Sequence, residues 1–314
     1  MPATQEPAYL ALHRSGALAT RAAEAVARLA SCDLCARACR ADRVSRTLGA
    51  VCRTGRHAVV SSFFAHHGEE RCLSGTRGSG TVFFAFCNLQ CAYCQNWDLS
   101  WKGDGDAVTG EDLAGMMLDL QRQGCHNVNL VSPSHVIPQV LEAVAIAAAR
   151  GLRLPLVFNT GGYDAAEGLR LLDGVVDVYL ADLKYGDSAA AVRYSRAPGY
   201  AAAAGAALRE MHRQVGDLVV GSDGIARRGL LVRHLVLPGG QAGTEAAMRF
   251  LAEEISPRTY VNLMDQYRPC YRASEHPEID RRPTGAELRA AADAARRAGI
   301  TRLDPAGAGE AGEA

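Results

Sequence analysis

The sequence predicts an α/β architecture: a partial (β/α)6 parallel barrel preceded by a helical, cysteine-rich extension. Three observations carry that expectation. From Gly80 onward, short runs rich in β-branched and aromatic residues alternate with longer helical patterns, the signature of parallel strands covered by helices. Polar, glycine-bearing or ionisable residues crowd the C-terminal ends of those runs, where barrel enzymes keep their active sites. Before Gly80 the alternation is absent, and Cys32, Cys35, Cys39 and Cys52 fall close together. The expected organisation is a helical, cysteine-rich segment at 1–79, a barrel core at 80–304 and a disordered tail at 305–314.

Composition narrows the function classes. The chain has 314 residues, enough to bury a sizeable core. Its formal charge is zero and no block of like charges occurs, so neither nucleic acid nor a membrane is expected as a partner. A zinc-dependent nucleic-acid binder therefore has only the first four cysteines in its favour. Of the 10 cysteines, seven fall in two tight groups, which suits metal binding in a reducing, cytoplasmic setting better than disulfides. Residues 1–30 lack a basic stretch followed by an unbroken apolar core, so no signal peptide is expected, and no apolar run approaches membrane-spanning length.

Taken in order, Leu18 to Ala30 carries apolar residues at helical spacing and predicts an amphipathic helix. The C-x2-C-x3-C-x12-C set that follows supplies four soft ligands, for which zinc and a second iron–sulfur cluster fit equally. Cys72 stands alone and reads as a small apolar residue. The predicted strands are 81–86, 127–131, 154–158, 176–180, 230–237 and 259–264. Between them helices are expected at 110–123, 137–150, 165–172, 201–215 and 244–255, with glycines at 124 and 151 closing the first two. Ser222-Asp223-Gly224 predicts a hairpin inserted before the fifth strand. The last helix opens with the capping box Thr284-Gly285-Ala286-Glu287 and closes at Gly299.

The chemistry concentrates after the first barrel strand, in Cys87-Asn88-Leu89-Gln90-Cys91-Ala92-Tyr93-Cys94. Three thiolates on one short loop can hold three corners of a 4Fe–4S cluster and leave one iron open to a substrate or cofactor. A structural zinc would normally take a fourth protein ligand, and none lies nearby in sequence.

This octet resembles the signature of radical S-adenosylmethionine (SAM) enzymes, including the aromatic residue before the last cysteine, here Tyr93. Over about 80–269 the chain is similar to the pyruvate formate-lyase activating enzyme group, within its less characterised branch. Asp182-Leu183-Lys184 and the Val232-Arg233-His234 to Pro238-Gly239 stretch are supporting matches. The resemblance implies a 4Fe–4S cluster on Cys87, Cys91 and Cys94, with SAM chelating the unique iron. Reductive cleavage would then give methionine and a 5′-deoxyadenosyl radical for hydrogen abstraction from a protein, peptide or small molecule. It implies an electron donor such as flavodoxin or ferredoxin. By family position Lys184 is the cation for the SAM carboxylate, Asn159 and Asp182 are candidates for ribose or amino group, and Tyr93 for adenine.

The chain departs from that pattern at two positions. Where the family carries a Gly-Gly-Glu motif for the SAM amino group, it reads Val131-Ser132-Pro133-Ser134-His135, leaving Ser132, Ser134 or a backbone carbonyl for the contact. Where activating enzymes carry Tyr-His after the sixth strand, it has Gln266-Tyr267. No catalytic residue is assigned, and His135 is the histidine candidate for an active-site role. The rival expectation is an iron–sulfur or zinc-bearing scaffold or electron carrier without SAM cleavage.

Overall fold

The computed structural model describes residues 6–45 and 47–305, so all but the first residue of the expected tail lies outside the described residues. The chain opens with α1 (Tyr9–Arg14) and α2 (Ala17–Ala27), and α2 ends in a 3-10 turn at Arg28–Ser31. Ala8 N donates to Asp177 Oδ1 at 2.9 Å, and Tyr9 Oη donates to Leu154 O at 3.1 Å. These bonds fasten the first helices beneath the two strands that follow Leu154 and Asp177.

The sheet starts earlier than the alternation in sequence suggested. Strand β1 (Ala58–His66) runs antiparallel to β2 (Ser79–Phe84), with the short helix α3 (Arg71–Ser74) between them, and β3 (Asp106–Val108) pairs antiparallel with β1. Apart from Ala58 and Val60, the residues of β1 are partly or well exposed, and its apolar signal is diluted accordingly.

From β2 onward every main strand is parallel. Helix α4 (Gly110–Arg122) leads to β4 (Val128–Val131), α5 (Ile137–Ala149) to β5 (Leu156–Thr160), and α6 (Ala166–Arg170) to β6 (Val178–Asp182). Two helices follow, α7 (Ser188–Ser195) and α8 (Tyr200–Val215), of which only the second is evident in the sequence. The expected hairpin joins β7 (Val219–Val220) to β8 (Ala226–Leu235). Helix α9 (Thr244–Phe250) continues as a π-turn over Leu251–Ile255 before β9 (Tyr260–Met264). Helix α10 (Gly285–Ala298) carries the predicted capping box and ends at Gly299 with φ 90°, before the short β10 (Arg302–Leu303).

The strand order β10-β9-β8-β6-β5-β4-β2-β1-β3 has two free ends, so the barrel is open. Its six main parallel strands are β2, β4, β5, β6, β8 and β9, as expected. Leu156, Val157 and Phe158 of β5 and Val178, Tyr179 and Leu180 of β6 are all buried. Such continuous apolar runs are what helices on the outside and a filled interior demand of parallel strands.

Candidate active site at the barrel mouth

A cavity of about 430 Å³ opens at the C-terminal ends of the parallel strands, and the thiols of Cys87, Cys91 and Cys94 form part of its wall. The loop leaves β2 through Phe86, whose φ of 65° turns the chain sharply. Three neighbours then pin its backbone. Gln90 N donates to Ser195 O at 3.2 Å, Ala92 N to Tyr194 O at 2.7 Å, and Arg272 N to Ala92 O at 2.8 Å. Because α7 supplies two of those carbonyls, a helix missed in sequence fixes the shape of the cysteine loop.

Each sulfur has a polar neighbour. Leu89 N donates to Cys87 Sγ at 3.3 Å, Ser195 Oγ to Cys91 Sγ at 3.0 Å, and Cys94 Sγ lies 3.1 Å from Ser100 Oγ. Tyr93 does not hang free in the cavity. Its hydroxyl bonds Tyr185 Oη at 2.7 Å, which bonds Ser195 Oγ at 2.6 Å, so a buried relay ends on Cys91. Burial pushes the Cys87 thiol up to about 12 and the Cys91 thiol to about 11. A cation is needed to hold such groups as thiolates, and its binding would release protons. Among the described residues, no three His, Cys, Asp or Glu side chains close on a single metal ion. A four-iron cube instead spreads its thiolates over separate irons.

Facing the thiols are the polar ends of β5 and β6. Lys184 Nζ is 2.5 Å from Asp182 Oδ2, and both side chains are largely buried. Burial alone would lower the Lys184 ammonium, but Asp182 and Cys91 beside it hold it above the usual range. Glycine is required in the neighbouring turn, since a Cβ on Gly162, at φ 78°, would sit 2.2 Å from Asp182 O. Asn159 also lines the cavity, with Nδ2 donating to Glu69 Oε1 at 3.5 Å.

Glu69 and Arg233 are residues that sequence reasoning did not place in the site. Arg233 Nε and Nη2 each lie 2.6 Å from Glu70, and Nη2 also pairs with Glu69. Asn262 Nδ2 donates to Glu70 at 2.8 Å, and Asn129 Nδ2 to Glu69 at 3.2 Å. Burial would raise the Glu70 carboxyl, yet Arg233 holds it below the usual range. Two cations, Lys184 and Arg233, thus meet three carboxylates, of which Asp182 and Glu69 line the cavity and Glu70 is buried behind it. The adjacent acids between two apolar runs were the available signal, but only the β1–β2 arm swings them over the barrel.

The β4 loop divides its residues. Ser132, with φ 59°, lines the cavity and donates its N–H to Asn159 O at 2.9 Å. Ser134 is buried behind it, 2.9 Å from Thr160 Oγ1. His135 is buried as well, with Nε2 3.1 Å from Ala85 O. Burial and then the Arg43 charge drive its imidazole down to about 3, which keeps the ring neutral. At the end of β9, Gln266 reaches the cavity, whereas Tyr267 donates its hydroxyl to Ile279 O at 2.6 Å.

Residues 81–224 match the family model described as the radical SAM superfamily. An uncharacterised protein of Methanocaldococcus jannaschii is 31% identical over 272 residues, spanning 84% of this chain and 74% of that relative. Among solved structures, a radical SAM methyltransferase from Sphaerobacter thermophilus superposes with a TM-score of 0.51 at 16% identity. That match covers 71% of this chain and 64% of the methyltransferase, a likeness of fold.

Proposed function

The chain belongs to the radical SAM superfamily, and from that premise we propose that Cys87, Cys91 and Cys94 hold a 4Fe–4S cluster whose open iron binds SAM. The family implies both groups. The residues fit them: three thiols share one cavity with the carboxylates of Glu69 and Asp182, which can receive an ammonium, and with Lys184, which can receive a carboxylate. When bound, cluster and SAM supply the one-electron cleavage that starts hydrogen abstraction.

The protein's own work is placement. Lys184 offers the SAM carboxylate a cation, held in position by Asp182 and by its backbone N–H, which donates to Tyr200 Oη at 2.9 Å. Glu69 faces the same cavity and can receive the SAM amino group, the task left open by Ser132 to His135. Asn159, Asp182 and Ser132 remain candidates for ribose or amino group, and Tyr93 supports Cys91 from below while its ring lines the cavity. Ser134, buried against Thr160, is the weakest of the proposed contacts.

The finer reading is an enzyme of the pyruvate formate-lyase activating type that modifies a protein or peptide in a reducing, cytoplasmic setting, with a flavodoxin or ferredoxin as electron donor. Its support is Asp182-Leu183-Lys184 at the end of β6, Arg233 and His234 in β8, and cysteines that are all free. The three-thiol cavity wall carries the proposal. Anaerobic reconstitution with iron and sulfide, reduction and assay for 5′-deoxyadenosine test it: product is expected, and its absence, or product unaffected by Cys91→Ala, overturns it. The hydrogen bonds to the sulfurs favour a second reading, an electron carrier without SAM cleavage, because they raise a cluster's potential. SAM leaving the reduced cluster's electron paramagnetic resonance (EPR) spectrum unchanged would select that reading.

A further inference from the structure

The N-terminal cysteines form a structure of their own. Cys32 N donates to Ala41 O at 3.0 Å and Arg40 N to Cys32 O at 2.8 Å, folding the segment back on itself. Cys39 and Cys52 pack together with Ala41 and Ala50 in a small cluster apart from the main core. Cys35 lies within electrostatic reach of Cys32 and Cys52. Next to Cys39 and Cys52 the backbone turns through Ala38, Arg40 and Arg53, at φ 41°, 55° and 51°, conformations that non-glycine residues adopt only where their surroundings compel them.

At the centre of this segment is a buried charge. Arg43 is 1% exposed, and its guanidinium donates to Thr54 O at 2.6 Å, His135 O at 2.7 Å and Cys32 Sγ at 3.3 Å. Among the described residues, no carboxylate forms an ion pair with it. A buried guanidinium without an anion is costly, and the anion its neighbours can supply is thiolate. Thiols ionise in such a place when they bind metal.

The segment also touches the barrel's cysteine loop. Arg37 Nε donates to Asn88 O at 2.7 Å, Asn88 Nδ2 donates to Tyr163 O at 2.6 Å, and Asn88 Oδ1 is 3.9 Å from Cys87 Sγ. Asn88 therefore links Arg37, in the segment of the first cysteine group, to Cys87 of the second.

We propose that Cys32, Cys35, Cys39 and Cys52 hold a second iron–sulfur cluster, seated against the barrel's cysteine loop through Asn88, with Arg43 neutralising part of its negative charge. Zinc is the lesser fit. It draws four sulfurs to ~2.3 Å from one point, whereas among the described residues no three such side chains close on a single ion. A cluster holds its ligands on separate irons and needs no such common point.

The test uses the full chain carrying Cys87→Ala, Cys91→Ala and Cys94→Ala, reconstituted anaerobically with iron, sulfide and zinc. About four irons and four sulfides per chain are expected to remain, with a reduced-cluster EPR signal that disappears when the other four cysteines are also replaced. Retention of zinc without iron, or of no metal, overturns the proposal. Should the triple variant fail to fold, the unmodified chain decides the matter: about eight irons are expected, and about four overturn it. Since the variant cannot build the SAM site, its result is independent of the function proposed above.

Discussion

At the barrel mouth, Cys87, Cys91 and Cys94 border a cavity of about 430 Å³, whereas Cys32, Cys35, Cys39 and Cys52 lie outside its wall, with Cys32 against the buried Arg43 and Cys39 packed with Cys52. Both groups use thiols, and Asn88, beside Cys87, accepts a hydrogen bond from Arg37 between Cys35 and Cys39. They differ in ligand number and in surroundings. Three thiols beside open space leave a coordination position for a reactant, while the proposed four-thiol site would leave none. Ligand chemistry alone thus does not separate catalytic from supporting roles, but access to the cavity does.

The largest effect that can break this comparison comes from Cys91→Ala. If chemistry belongs to the barrel loop, 5′-deoxyadenosine formation should fall by roughly 1000-fold or more, because the ligands act as a unit. Cys35→Ala should reduce total iron while leaving a SAM-responsive EPR signal. Equal loss of SAM response in both variants would erase the distinction between the two groups.

Arg43→Met gives the next largest effect. In the metal-loaded protein the substitution removes the positive partner of buried thiolates and should cost about 3 kcal/mol. With metal removed, the loss should be smaller, since only hydrogen bonds to Thr54 O, His135 O and Cys32 Sγ disappear. Denaturant midpoints of loaded and metal-free protein, compared for both chains, measure the difference. Equal shifts would mean that Arg43 answers no thiolate charge.

Much of this was legible in sequence for a physical reason. The parallel strands are buried on both sides, so Leu156 to Phe158 and Val178 to Leu180 announce themselves as apolar runs, and the capping box at Thr284 is local. The cysteine loop and Lys184 were legible because their spacing is local as well. Glu69, Arg233 and Ser195 were not. Glu69 and Glu70 meet Arg233 across more than 160 residues, and their position depends on the antiparallel arm β1–β2, whose exposed side dilutes the strand signal. Ser195 ends α7, a short helix of small residues that carries little periodic apolar pattern, yet its hydroxyl reaches Cys91. His135 was legible as a histidine in a strand-end loop, and the structure turns it inward, to Ala85 O, between the two cysteine groups.

That burial makes His135 a source of pH-dependent stability. Its folded value is about 3, below the ordinary 6.5, so the unfolded chain binds the extra proton first as pH falls. Stability from the neutral ring is fully present above pH 6.5 and is lost as pH drops from there toward 3. Between pH 7 and 5 the metal-free chain should lose about 2 kcal/mol, and His135→Gln should flatten that slope. Urea titrations at both pH values check this, and an unchanged slope in the variant would assign the dependence to other groups.

Ser195→Ala gives the smallest effect and tests the barrel loop alone. The serine hydroxyl donates to Cys91 Sγ at 3.0 Å, and a donor on sulfur stabilises the more negative, reduced cluster. A hydrogen bond of about 1 kcal/mol corresponds to ~40 mV for a one-electron couple, so the midpoint potential of the barrel cluster should fall by about that amount. The potential of the N-terminal centre should not move, since Ser195 donates to none of its thiols. Redox titration followed by EPR resolves the two signals. A shift confined to the barrel cluster sharpens the comparison, because the same donor that holds the loop in shape would then also make its electron easier to accept and harder to pass on. A shift of both signals would mean that the Asn88 contact couples the two centres strongly enough to treat them as one.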